Sequence, residues 1–218
     1  MIEAAVHYVR LSSVPPEKWR QFEGTLPASA RATIWRYQQA RDRLSRIAGR
    51  WLLRCGLAAM APPSAWCFDD LRQNAFGRPF LPGLPNVDFN LSHSGDLVVC
   101  AVSTGCRVGI DVEAVRDIAL SGFERVFADS TWAEVQQSAD PRKAFFRNWT
   151  RLESVAKAEG FGIAGPVRDI GFNESSAHFQ DRTWFLKELE FGAEYACHIA
   201  LGSDCIQVPV FDQGRGVV

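Results

Sequence analysis

Two carboxylates two residues apart, Asp111 and Glu113 in G-I-D-V-E, are the sharpest chemical signal in the chain. Alternate side chains of a strand project from the same face, so these two stand side by side. Such a pair repels itself unless a cation lies between. Hard oxygen donors suit Mg²⁺, which takes one or two carboxylates with phosphate oxygens and water. The same pair also reads as a strand edge with its acids in water. Glu153 and Lys157 stand four apart in W-T-R-L-E-S-V-A-K-A-E-G and so stack on one side of a helix. They are either an ordinary surface ion pair or a working pair, a carboxylate that holds a metal or takes a proton beside an ammonium that neutralises phosphate charge. Ser92-His93-Ser94 ends an alternating segment at a turn, where its polar groups could bind phosphate, although a lone histidine there serves equally as a structural hydrogen-bonding residue. Arg78, between Gly77 and Pro79, could aim a cation at a pyrophosphate or simply face solvent. The chain has no G-x-S-x-G elbow, no Walker A loop and no G-x-G-x-x-G turn, which removes support for a serine hydrolase, a P-loop site and a dinucleotide fold.

These residues need elements to hold them. A first strand is expected over residues 4–10 and a long helical region from Pro27 to Leu57, with Tyr37, Leu44, Ile47, Trp51 and Cys55 on an apolar stripe and Gly56 and the Pro62-Pro63 pair closing it. Arg43, Arg46, Arg50 and Arg54 share one flank of that helix. Strands follow over 87–91, 97–103 and 107–113, separated by turns at Ser94-Gly95-Asp96 and Thr104-Gly105. Residues 121–137 read as a helix with Thr131 and Glu134 spaced as a capping box, and Asp140-Pro141 starts another that ends at Gly160. Two strands are expected over 184–191 and 195–201, and a loose tail after Asp204.

The chain has 218 residues, 47% hydrophobic and 22% charged, enough to bury a core and far from a disordered composition. No apolar run is long enough for a membrane span, and no secretory signal pattern opens the chain. Six scattered cysteines without C-x-x-C read as reduced thiols of a cytoplasmic protein. The net charge of −1 conceals an asymmetry: residues 1–109 carry 13 Lys and Arg against 8 acids, and residues 110–218 carry 11 against 17. Seven arginines between Arg31 and Arg54 against the single Asp42 make a basic face. That face suits a polyanion, or merely solvates a helix; nucleic acid is disfavoured by the near-neutral total and the lack of a binding motif.

The order of the motifs is more specific than any one of them. F-G-R-P, then F-N-L-S-H-S-G, then G-I-D-V-E, then W-T-R-L-E-S-V-A-K-A-E-G resembles the 4′-phosphopantetheinyl transferase superfamily, in its double-length, surfactin-synthetase-activating type. The resemblance implies an α+β fold of two similar lobes related by a pseudo-twofold, each a small, mostly antiparallel sheet packed with helices. A basic lobe (1–105) and an acidic one (106–218) would meet at a cleft holding the active site. It implies transfer of the 4′-phosphopantetheine arm of coenzyme A to a serine of an apo acyl or peptidyl carrier protein, with release of 3′,5′-ADP. Asp111, Glu113 and Glu153 would hold Mg²⁺, with Mn²⁺ as the alternative. Glu153 and Lys157 would be catalytic. Arg78, Ser92, His93, Arg36, Arg46 and Lys157 would contact coenzyme A. The expected enzyme is a cytoplasmic monomer that engages neither membrane nor nucleic acid. Rival readings are another Mg²⁺-dependent phosphoryl-transfer enzyme built on the same carboxylates, a nucleic-acid binder using the arginine face, and a family member that binds without turnover. One departure stands out: Leu152 occupies the position before the helix glutamate where the family commonly has lysine, and its place on the apolar stripe predicts packing.

Overall fold

The computed structural model describes residues 3–204 and 207–214. In chain order its elements are β1 (Glu3–Arg10), α1 (Pro16–Thr25), α2 (Ala28–Ile34), α3 (Ala40–Met60), β2 (Arg72–Gln73), β3 (Pro79–Phe80), β4 (Val87–Ser94), β5 (Leu97–Thr104), β6 (Val108–Ala114), α4 (Asp129–Gln137), α5 (Pro141–Glu159), β7 (Gly171–Phe172), β8 (Ser176–Phe179), β9 (Arg182–Glu188), β10 (Tyr195–Leu201) and β11 (Val210–Asp212). The fold is α+β. One sheet runs β11-β1-β5-β4 and a second runs β6-β10-β9-β8-β7, antiparallel throughout except where β11 lies parallel to β1.

Period-two burial stacks these parts in four layers. Val98, Cys100 and Val102 of β5 face α3, whose Leu52, Leu53 and Leu57 are buried there with Trp19 and Phe22 of α1 and Ile34 of α2. The alternate residues of β5, Leu97, Val99 and Ala101, face the other way. They share an inner core with Val108, Ile110 and Val112 of β6 and with Cys197, Ile199 and Leu201 of β10. The outer face of the second sheet packs on α5 through Leu152, Val155, Ala156 and Ala158. α5 starts as its sequence dictates, with the Asp140 carboxylate accepting from the Lys143 N–H at 3.0 Å and Pro141 in the first turn. It ends at Gly160, whose φ of 89° is the left-handed conformation that glycine accepts without strain.

The adjoining edges of the two sheets, β4 and β6, are joined by side chains rather than by a backbone ladder. The Asp88 carboxylate accepts from the Val108 N–H (2.8 Å), the Asn90 side-chain oxygen from Ile110 (3.0 Å), the Ser92 hydroxyl oxygen from Val112 (3.3 Å) and that of Ser94 from Ala114 (3.0 Å). Alternation on β4 brings a polar atom opposite every second N–H of β6, so an otherwise open edge is satisfied.

Several expectations are corrected. The helical region from Pro27 breaks at Trp35–Gln39, where the Arg43 guanidinium donates to the carbonyls of Tyr37 and Gln38, both at 2.8 Å. Gly56 does not stop α3, which continues to Met60, just ahead of the Pro62-Pro63 pair. It is instead a packing position, where a Cβ would stand 2.4 Å from Val102 Cγ2. Residues 121–128 are irregular, and α4 begins at Asp129, so Thr131 and Glu134 form no capping box. The short strands β7 and β8 were not foreseen. The tail is not loose over its described length: β11 pairs with β1, the Val6 N–H donating to the Pro209 carbonyl and the Gln213 N–H to that of Tyr8 (2.9 Å each). Cys55, Cys67, Cys100 and Cys197 carry free thiols, and Cys205 lies outside the described residues. No helix among these residues is long and apolar enough to cross a membrane.

Candidate active site

A cavity of about 830 Å³ opens between α3 on one side and β6 with α5 on the other. Its lining brings together Asp111, Glu113, Glu153, Lys157, Ser92, His93, Arg36 and Arg46. Eight of the nine residues singled out in the sequence therefore meet at one place. Their positions follow from the layers. Asp111 and Glu113 point from the outer face of β6 toward α5, and Gly109 before them lets the helix approach: a Cβ there would lie 2.0 Å from the Ser154 carbonyl oxygen.

Asp111 is buried. One of its oxygens, Oδ1, accepts from Lys157 Nζ at 2.5 Å and from the Ser92 hydroxyl at 2.8 Å, while Oδ2 is buried with no hydrogen-bond partner. Glu113 is half-buried. Its Oε2 accepts from the Ser94 hydroxyl at 2.7 Å, with Arg116 at 3.9 Å on the exposed side. Burial raises the Glu113 pKa, the Ser94 bond opposes that, and the Asp111 charge adds to the rise. The Glu153 carboxyl has no partner among the described residues. Burial, with Asp111 and Glu113 nearby, pushes it up to about 7 against the opposing pull of Lys157. For Lys157 burial alone acts downward, but Asp111, Glu153 and Glu113 outweigh it and the net direction is up.

No three His, Cys, Asp or Glu side chains among the described residues converge closely enough, as they stand, to hold a metal ion. The donor set nevertheless fits one. Three carboxylates share a wall, Lys157 offsets only part of their charge, and the buried Asp111 Oδ2 is left without a donor.

The opposite wall is basic. Arg36 and Arg46 line it, Arg46 stacked 4.5 Å above the Tyr37 ring. Arg50 and Arg72 line it as well. Neither was among the expected contacts, although Arg50 lies one helical turn from Arg46 and the spacing could have found it. Burial and the neighbouring Arg46 lower the Arg50 pKa, and its Nε is buried without a partner. His93 also faces the cavity; desolvation, then Arg46 and Lys157, hold it below the ordinary histidine range.

Two expected contacts differ. Arg78 does not line the cavity. Its guanidinium is buried against the Asp88 carboxylate at 2.5 Å and donates to the Val108 carbonyl at 2.9 Å and to the Lys157 carbonyl, so it ties β4, β6 and α5 together. Ser92 lines the cavity, but its hydroxyl donates to Asp111 and accepts from Lys157 Nζ (3.1 Å) and the Val112 N–H, which leaves nothing for a ligand. Leu152 packs in the core under α5, as expected. Phe127 is fully buried, with Phe123 stacked edge-on to Phe145 and Trp149, so both serve the core.

A cleft with an acidic, lysine-bearing wall facing an arginine wall has the charges that suit a phosphorylated ligand and a cation. Comparison with known proteins gives the class. Residues 107–205 match the model of the 4′-phosphopantetheinyl transferase superfamily, and residues 14–105 match that of the 4′-phosphopantetheinyl transferase N-terminal region. The chain belongs to this superfamily, in its surfactin-synthetase-activating type. It is 33% identical over 94 residues to a 4′-phosphopantetheinyl transferase of Bacillus subtilis strain 168, covering 42% of each chain. It is 31% identical over 144 residues to the 4′-phosphopantetheinyl transferase gsp of Aneurinibacillus migulanus, covering 64% of this chain and 58% of that one. The human L-aminoadipate-semialdehyde dehydrogenase-phosphopantetheinyl transferase is 27% identical over 173 residues, covering 72% of this chain and 56% of its own. The chain thus spans about half the length of the curated relatives it matches.

Proposed function

We propose that this protein transfers the 4′-phosphopantetheine arm of coenzyme A to a serine of an apo acyl or peptidyl carrier protein and releases 3′,5′-ADP. One observation carries the reading: Asp111, Glu113, Glu153 and Lys157 share a cavity with Arg36, Arg46 and Arg50. Coenzyme A presents a pyrophosphate and a 3′-phosphate, and an arginine wall offers both of them charge-assisted donors. We assign Arg36, Arg46 and Arg50 to these phosphates, with His93 beside them. Asp111, Glu113 and Glu153 are the residues that would hold Mg²⁺. When bound, the ion neutralises the pyrophosphate and draws electron density from the phosphorus under attack. Arg78 and Ser92 position the site instead of touching coenzyme A.

In this reading the carrier serine oxygen forms a bond to the pantetheine-side phosphorus as the bond to 3′,5′-ADP breaks. Glu153 takes the serine proton. Of the three carboxylates it is the one without a hydrogen-bond partner among the described residues, so it has a lone pair to offer the serine proton. Lys157, held toward the same wall by Asp111, steadies the negative charge that gathers on the departing phosphate. Residues 1–105 act as the phosphate-binding lobe and residues 106–218 as the metal-binding lobe of one pseudo-symmetric monomer, since a single chain supplies both walls. Its carriers belong to fatty-acid, polyketide, nonribosomal-peptide or siderophore synthesis.

The test is release of 3′,5′-ADP from coenzyme A and Mg²⁺ with and without a panel of apo-carriers. Release that requires a carrier supports the proposal. Release without any carrier points to a hydrolytic phosphate-ester enzyme, and no release with any carrier contradicts the transferase.

A further inference from the structure

We propose that Ser94 is a positioning residue for Glu113, and that the polar stripe of β4 does two jobs: it closes the edge of the second sheet and it aims the two carboxylates of β6. This rests on the metal-binding role proposed above. Along β4, residue 88 meets the N–H of 108, residue 90 that of 110, residue 92 that of 112 and residue 94 that of 114. The two serines make a second bond, each to the residue just before that N–H: Ser92 to Asp111 at 2.8 Å and Ser94 to Glu113 at 2.7 Å. A hydroxyl has one proton and two lone pairs. Because a backbone N–H already occupies a lone pair of Ser94, the proton is free to go to the Glu113 carboxylate, and the backbone fixes its direction. At the other two rungs the residues just before the N–H are Arg107 and Gly109, which carry no carboxylate, so Asp88 and Asn90 close the edge without aiming a metal ligand.

The alternative for Glu113 is visible beside it. Arg116 lies 3.9 Å from Glu113 Oε2 and is mostly exposed, with 60% of its side chain accessible. Without the Ser94 bond the carboxylate is free to turn outward to that guanidinium, away from Asp111 and Glu153. Partners behind a metal ligand typically change affinity about 10–100-fold when removed.

The test measures Mn²⁺ binding by electron paramagnetic resonance in the presence of coenzyme A, with thermal melting alongside. S94A is expected to weaken Mn²⁺ binding about tenfold. N90A breaks a rung that touches no carboxylate; it is expected to lower the melting temperature and leave Mn²⁺ affinity within about twofold, so it reads any general folding cost. In an E113A background S94A is expected to cost no further affinity, because its effect runs through Glu113. S94T, which keeps the hydroxyl, is expected to retain binding. Equal Mn²⁺ affinity in S94A and wild type, or the same loss from S94A with and without Glu113, overturns the positioning role alone. Wild-type protein that binds no Mn²⁺ overturns both this role and the metal reading beneath it.

Discussion

Half-buried Glu153 and buried His198 make stability respond to pH in opposite directions. The Glu153 pKa is raised to about 7 in the folded chain, so its ionised form is disfavoured by folding. That group costs stability as pH rises from its ordinary value of 4.5 through 7. Glu153→Gln is therefore expected to stabilise the metal-free protein at about pH 8 by roughly 1–3 kcal/mol, read as a higher melting temperature in chelator. The same change is expected to reduce carrier modification by about 10²–10⁴-fold. A variant that is more stable and nearly inactive is the signature of a residue kept for chemistry. His198 is buried, its Nδ1 paired with the Thr150 hydroxyl at 2.9 Å. Burial, then Arg151 and Arg147, depress its pKa to about 3. The unfolded chain takes up this proton near 6.5 and the folded chain does not, so stability falls as pH drops below that value. Between about pH 7 and pH 5 the loss attributable to His198 is roughly 2 kcal/mol, and H198Q is expected to flatten that part of the melting curve.

At the scale of elements, the contact between α5 and β6 decides whether a site exists. Gly109 is where it is tightest, since an added Cβ would meet the Ser154 carbonyl at 2.0 Å and Ala158 N at 2.5 Å, backbone atoms that cannot swing aside. Gly109→Ala is expected to cost about 1–3 kcal/mol or more through overpacking, and to reduce activity beyond what the fold loses by lifting Glu153 and Lys157 from Asp111. Melting temperature and turnover measured on the same preparation check this. The elements that carry the site were legible because their signals are local. Strand alternation marks Asp111 and Glu113, Asp140-Pro141 and Gly160 bracket α5, and the four-residue spacing puts Glu153 with Lys157. What could not be read depends on partners far along the chain. Gly56 looks like a helix stop until Val102 is beside it, and Arg78 looks like a phosphate ligand until Asp88 and two carbonyls surround it. The stripe Asp88, Asn90, Ser92, Ser94 looks like an ordinary wet strand face, and only the edge of β6 gives it meaning. β11 was missed because its pairing with β1 joins opposite ends of the sequence.

Across the whole molecule, the charge asymmetry of the sequence becomes the polarity of one cavity. The basic excess of residues 1–109 reaches it through α3, and the acidic excess of residues 110–218 through β6 and α5. The inner core between the sheets holds these walls at a fixed spacing, with Leu97, Val99, Ile110 and Ile199 fully buried. On the proposed function, that cavity is a preformed holder for a polyanionic substrate. The most direct measurement is the intact mass of an apo-carrier after incubation with coenzyme A and Mg²⁺. A gain of ~340 Da on the nucleophilic serine is expected, absent when that serine is alanine and nearly absent with Glu153→Gln. An unchanged carrier mass across a broad panel, or the full gain with Glu153→Gln, would contradict it.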